Sequence, residues 1–275
     1  MAKVIACVDA HVHLHSCYDP DDLLQNAYDN LSAVGTDGTA SRAYFLLLAE
    51  CAPDDCFGAL RTIAAGRANG SSGLHLRRWA VAQTQEPISV VARHGQRELF
   101  IVAGRQVACR EGLEVLVLGT THRFADGRPI RDVLHEADAL GVPRVIPWGP
   151  GKWFFSRGRL LRDLIAEFRK PTLFLGDEGG RPGFWGYPQH FTHAARLGVR
   201  DLPGTDPLPF PHDVAKVGRM GLKVAIDLDP ARPGASLLRA LTEVQAPLER
   251  FATLEPPLRF VRNQIGMQLR KRLRA

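Results

Sequence analysis

The sequence predicts a single α/β domain built on a largely parallel sheet, closed or open. Three observations carry this. The chain has 275 residues, a length that suits one large α/β domain better than two small ones. Short apolar runs of strand type alternate with helical segments over most of it. No repeat, low-complexity segment or long linker interrupts the alternation, so one domain over 1–275 is expected, ending in a basic helix at about 256–275.

Residues 3–15 read as a strand. In the following "DPDDLLQNAYDNL", Asp19 is placed to cap a helix and Pro20 to sit in its first turn. "AYFLLLAE" (43–50) is a continuous apolar run of the kind buried in a parallel sheet, and "PDDCFGALRTIAAG" (53–66) reads as the next helix. The rhythm changes in the middle. "WAVAQTQ", "ISVVARH", "LFIVAGRQVAC" and "LEVLVLGT" follow one another as neighbouring strands with little helix between them. Alternation returns from 130. Helices "IRDVLHEADALG", "RGRLLRDLIAEF" and "QHFTHAARLG" precede strands "PRVIPW", "TLFLGDE" and "VRDLPGTD". Strand "LKVAIDLD", helix "GASLLRALTEV" and the basic helix complete the chain.

Composition excludes several classes. No run of about 18 apolar residues is present, so no membrane span and no membrane partner are expected. The first residues turn polar too soon for a signal peptide. Five cysteines, an odd number with no C-x-x-C pair, argue against a disulfide framework and a thiolate zinc site. A cytoplasmic protein is expected. The net charge of +6 comes from arginine and fits either codon bias or an anionic substrate or partner. The basic end "RNQIGMQLRKRLRA" reads as a solvated tail. Nucleic acid ranks last among partners, because no aromatic–basic motif supports it. A homo-oligomer stays open.

The stretch "ACVDAHVHLHSCYD" (6–19) carries the chemistry. With a period of two, Val4, Ala6, Val8, Ala10, Val12 and Leu14 share one face, expected to pack under helices. Ile5, Cys7, Asp9, His11, His13 and His15 share the other. That second face turns polar towards its C-terminal end, as the inner face of a barrel does where a site opens. His11 and His13 can then reach one ion from one strand. Further ligands belong at the ends of other strands, since zinc takes about four. "TLFLGDEGG" offers Asp177 and Glu178, and "RDLPGTDPLP" offers Asp206. Each acid alone could equally be a helix cap or turn residue. His122, just after a strand, and His193, with His190 on a helix face, are further candidates.

"VDAHVHLHS" resembles the opening motif of the PHP (polymerase and histidinol phosphatase) family and the H-x-H strand of amidohydrolase-type hydrolases. "LFIVAGRQVACREGLEVLVLG", "IRDVLHEADALGVPRVIPW" and "LPGTDPLPF" resemble later PHP segments in order. Three positions depart from the PHP pattern. Gln106 stands for a metal-binding glutamate, Trp148 lies near a histidine position, and Asp206-Pro207-Leu208 replaces Asp-x-His. The resemblance implies a distorted TIM-like (β/α)7–8 barrel. It also implies one or two divalent ions (Zn, Mn or Fe) activating water against a phosphoester or an amide or ester bond, with Asp177 or Asp206 accepting the proton.

Two loops that follow strands, "PWGPGKWFFSRGR" and "GDEGGRPGFWGYP", interleave cations with aromatics. Either they bind a small anionic substrate through Lys152, Arg181, Trp148 and Trp153, with Gln106 nearby, or the aromatics pin the loops and cap the fold. The expected function is a metal-dependent hydrolase. The alternative is a degenerate PHP-like scaffold acting as a ligand-binding or regulatory module.

Overall fold

The computed structural model describes residues 2–35, 41–67 and 73–274. In chain order the elements are β1 (Ala2–Val12), α1 (Pro20–Ser32), β2 (Arg42–Leu48), α2 (Cys56–Ala64), β3 (Ala80–Gln83), β4 (Ser89–His94), β5 (Arg97–Val102), β6 (Gly104–Ala108) and β7 (Glu114–Leu118). There follow α3 (Ile130–Ala139), β8 (Arg144–Pro147), α4 (Phe155–Glu167), β9 (Leu173–Gly176), α5 (Gln189–Arg196) and β10 (Arg200–Asp201). A short 3-10 segment (Pro211–Lys216), β11 (Met220–Leu228), α6 (Pro233–Thr242), β12 (Glu249–Ala252) and α7 (Pro257–Arg274) end the chain. Asp19 caps α1 as expected, its carboxylate accepting from the Asp21 and Asp22 backbone N–H groups.

The strands form two mixed sheets, neither closed into the expected barrel. One has the order β12-β11-β1-β2-β5-β4-β3 and the other β10-β9-β8-β7-β6. Two features keep them apart. The tight β4–β5 connection turns through Gly95 at φ +59° and makes an antiparallel hairpin, which spends β5 on β4 as well as β2. β10 has only two paired residues on β9. β11 also returns antiparallel to β1, from Ala2↔Leu228 to Val8↔Leu222, where alternation alone suggested a parallel strand.

The sheets are still stitched at one end. Glu50, just past β2, accepts from Gln106 N–H at 2.8 Å and donates to the Gly104 carbonyl at 3.2 Å. On the other side Ala10 N–H donates to Pro203 (3.4 Å) and Asp206 N–H to the His11 carbonyl (2.9 Å). Gly204 belongs to this seam, since a Cβ there would lie 2.3 Å from the His11 nitrogen.

Between the sheets lies one apolar layer. Val4, Ala6, Val8 and Ala10 of β1 meet Phe45, Leu47, Leu116, Val145 and Phe174. On the far side of the first sheet, Cys7, Leu46 and Leu48 pack on Leu23, Leu24, Ala27 and Leu31 of α1. Outside the second sheet, Val115 and Ile146 pack on Val133 of α3, Leu161 and Leu164 of α4 and Phe191 of α5. Each such buried aliphatic side chain contributes about 1.5–3 kcal/mol relative to exposure.

This arrangement reverses the expected facing of β1. The face of Val4 to Ala10 looks between the sheets, and Cys7 looks at α1. Pairing with β2 then slips by one residue between Asp9↔Leu46 and Val12↔Leu48. Such a bulge exchanges the two faces of a strand. Beyond it Val12 joins Cys7 on the α1 side, and His11 and His13 gain the side that strict alternation denied them.

The bulge is tied down by Asp9, which is fully buried. Its carboxylate accepts from the Thr205 N–H (2.9 Å), the Thr205 hydroxyl, the Gly218 N–H (2.8 Å) and the His11 N–H (3.3 Å). Burial pushes its pKa up to about 6, and these donors keep it from rising further. Gly218 reaches the carboxylate at φ +83°, packed against the Ala27 carbonyl. Replacing Asp9 by Ala strands several buried donors, each costing about 1–3 kcal/mol. Denaturant unfolding of Asp9→Ala should therefore show a loss of at least about 3 kcal/mol. A variant as stable as the parent would show that this carboxylate does not hold the seam.

Candidate metal centre

The two ends of the seam carry three side chains that converge. His11 and His13 leave β1 beyond its bulge, and Asp206 leaves the segment after β10. His11 Nε2 lies 3.0 Å from His13 Nε2. Asp206 Oδ1 lies 3.5 Å from the first and 3.4 Å from the second. A triangle of these sides has a centre about 1.9 Å from every corner, and zinc bonds to nitrogen and oxygen are about 2.0–2.2 Å long. An ion slightly out of that plane would touch all three atoms. Among the described residues, these three are the group of His, Cys, Asp and Glu side chains placed to share one ion.

Asp206 is held in an uncommon backbone conformation. Its φ is +43°, in the left-handed region that Asp tolerates better than most residues. Burial works to raise its pKa, but His11 and His13 outweigh burial and hold it well below the usual carboxylate range. A half-buried carboxylate facing two ring nitrogens is a donor set that suits a divalent cation.

Three more groups surround the triangle. Gln106 Oε1, from β6, is 3.0 Å from His11 Nε2, so its carboxamide faces the converging group. Glu178 Oε1 lies 3.5 Å from His11 Nδ1, a ring nitrogen that is buried without a hydrogen-bond partner. Burial first, and then the Asp206 charge, push the Glu178 pKa well up. Lys152 pairs with Glu114 at 2.6 Å. Burial lowers its pKa, yet Glu114, with Glu178 and Asp206 behind it, more than restores it, so the ammonium stays charged beside the site.

The remaining expected residues are used elsewhere. Asp177 is fully buried and taken by cations. Arg181 clamps it with Nε at 2.8 Å and Nη2 at 2.9 Å, and Arg250 adds a third contact. Both Asp177 oxygens are so occupied, and the remaining Arg181 nitrogen, Nη1, donates to the Trp185 carbonyl at 2.8 Å. Trp148 and Trp153 lie in the core, against Trp185 and against His190 and Phe191. Both side chains are buried there. His122 binds Glu136 at 2.7 Å on the surface of α3, and His193 sits in the last turn of α5. Neither belongs to the converging group.

His15 is a neighbour that the motif contained without a role. Its ring stacks on His13 at 5.2 Å, and its Nε2 is 2.9 Å from the Pro207 carbonyl. Burial, with His13 beside it, lowers its pKa to about 4. The neutral ring therefore donates to that carbonyl and braces the loop after Asp206. It also lines a groove of about 1140 Å³ with Tyr18, Cys51, Asp54, Cys56 and Arg270. No local pattern announces this groove, because its walls come from 14–20, 51–62 and the far end of the chain.

No protein-family model matches the chain, and no curated protein matches it in sequence. Solved structures do resemble it. PsfC from Pseudomonas syringae PB-5123 is 16% identical, with a TM-score of 0.53 over 98% of this chain and 99% of its own. The lesion-specific endonuclease PfuEndoQ from Pyrococcus furiosus is 10% identical, with a TM-score of 0.51 over 90% of this chain and 57% of its own. At such identities the likeness is one of fold.

Proposed function

We propose that the chain is a metal-dependent hydrolase of PHP-like kind, acting on a small anionic substrate through one divalent ion, Zn, Mn or Fe. The observation that carries this reading is the convergence of His11 Nε2, His13 Nε2 and Asp206 Oδ1 within 3.5 Å of one another. The two stitched sheets are read as an opened relative of the PHP barrel. The likeness to an endonuclease is compatible with cleavage of an ester bond in an anionic substrate.

His11, His13 and Asp206 would hold the ion, and the Gln106 carboxamide oxygen, 3.0 Å from His11 Nε2, would join them. The chemistry such an ion supplies is a water acidic enough to serve as nucleophile at neutral pH. Glu178, beside both His11 and Asp206, would take the water's proton in its ionised form, which the charge of a bound cation would favour; the sequence offers that role to Asp177 or Asp206. Lys152 would hold a negative group of the substrate. The donor set has one firm anion, Asp206, because Gln106 is neutral and Glu178 favours its proton. That modest charge favours one ion over two. It also supports the second reading, a scaffold that binds ligand without turnover.

Elemental analysis of protein purified without added metal should find about one Zn, Mn or Fe per chain. His11→Ala and Asp206→Ala should each weaken metal binding by more than the roughly 10–100-fold that loss of an outer partner costs. Parent protein that takes up no metal would end the proposal, and stoichiometric metal without phosphatase or esterase turnover would favour the scaffold.

Glu178 makes a pH-dependent prediction. Its pKa is raised in the fold, so the stability linked to its proton is fully present below the unfolded value of about 4.3. That stability is lost as pH rises through the folded value. In chelator-treated protein, Glu178→Gln should match the parent in acid and gain on it steadily as pH rises, by thermal melting. A constant difference at every pH would refute the assignment. Lys152→Ala should raise KM for an anionic ester by about tenfold or more, the worth of a hydrogen bond to a charged group, and leave a neutral ester unaffected.

A further inference from the structure

An exposed apolar surface runs along α7 and continues into the two aromatic loops. Leu258, Val261, Ile265 and Leu269 lie on one line of the helix, and all are exposed, Leu258 at 87%. The line spans roughly 16 Å at about 1.5 Å per residue. The opposite face of α7 is docked. Asn263 is buried within 3.3 Å of His212 Nε2, Gly266 lies against the Phe210 ring, and Arg270 donates to the Pro209 carbonyl. The helix is therefore held on the body with its apolar line outward, not trailing as a solvated tail.

From its first turn the surface passes ring to ring. Phe260 meets Phe184 at 6.1 Å and Trp185 at 6.4 Å, Trp185 stacks on Phe154 at 6.0 Å, and Phe154 meets Phe155 at 6.3 Å. Phe155 is 90% exposed and adopts φ +54°, a conformation an aromatic residue seldom takes. Apolar side chains presented together in this way mark a site of interaction.

Charge identifies the occupant. After Glu255 the sequence holds Arg259, Arg262, Arg270, Lys271, Arg272 and Arg274 and no acidic residue. Arg262 and Arg272 are exposed on the margin of the apolar line, without an acidic partner among the described residues. A second copy of α7 laid on this face would bring the same cations together with no carboxylate to offset them. Nucleic acid would answer the cations but leave the aliphatic line and the exposed phenylalanines against water. An anionic bilayer surface answers both, phosphate to arginine and acyl region to the apolar line. No helix among the described residues is long and apolar enough to cross a membrane, so the contact lies on the surface. We infer that α7 and the loops of Phe155 and Phe184 form a docking face for an anionic lipid surface.

The test sediments the full chain with phosphatidylcholine vesicles, with and without phosphatidylglycerol. Binding is expected only with phosphatidylglycerol. Arg262→Gln with Arg272→Gln should reduce partitioning about 25-fold, at about fivefold per cation lost. Ile265→Ser with Leu269→Ser, and separately Phe155→Ser, should each reduce it several-fold at unchanged charge. These residues are exposed, and far-UV circular dichroism checks that the variants fold. Absence of binding overturns the inference. So does binding that the serine variants leave intact, which would be bare charge attraction shared with DNA. A parent dimer in analytical ultracentrifugation that Ile265→Ser with Leu269→Ser dissociates would assign the face to a second copy and overturn it as well.

Discussion

The buried carboxylate of Asp9 is the constraint on which the site depends. It receives donors from Thr205 and Gly218, which lie far along the chain, and from His11 nearby. Without it, the segment carrying Asp206 has two backbone links to β1, from Ala10 to Pro203 and from Asp206 to His11. A short strand such as β10 cannot impose that position by pairing alone. One ionised group inside the protein thus does what an additional length of sheet would do elsewhere, and its four acceptor contacts offset the desolvation that raises its pKa.

Electrostatics divides the acids around the mouth into two populations. Asp177 is neutralised by Arg181 and Arg250, and its work is to fix the loop that carries Glu178. Asp206 has no guanidinium partner among the described residues; its partners are two imidazoles, whose Nε2 atoms lie 3.5 and 3.4 Å from its Oδ1. Two carboxylates on neighbouring strand ends can look alike in a sequence and still differ in whether guanidinium groups or imidazoles face them. Lys152 belongs to neither population, since its pairing with Glu114 places positive charge beside the mouth without closing it.

Much of the scaffold was legible, because period and punctuation are local signals. The Asp19 cap, the apolar run of β2 and the helices α3 to α6 all follow from residues within a few positions of one another. The pairing of strands was not, because it depends on partners hundreds of residues apart. Antiparallel β11 beside β1, the short β12 and the failure of β10 to extend into a closed ring leave no trace in local pattern. At the site, His11, His13 and Asp206 could be named as candidates because their types and places at strand ends are unusual. Asp177 and Arg181 had the same outward signs, and only their mutual geometry separates them. Strict alternation along β1 put Cys7 on the same inner face as His11 and His13, whereas Cys7 packs under α1, since a bulge has no reliable signature in residue type.

That bulge has a consequence for how such a motif can change. Point substitutions near it alter one side chain at a time and leave the strand's facing intact. Deleting a single residue between Asp9 and Val12 would instead restore even pairing with β2, exchange the sides of everything beyond it, and turn both imidazoles under α1. The segment is therefore tolerant of replacement and intolerant of a change in length. Among distant homologues, spacing between the aspartate and the first histidine should be kept more strictly than the identity of the residue between them.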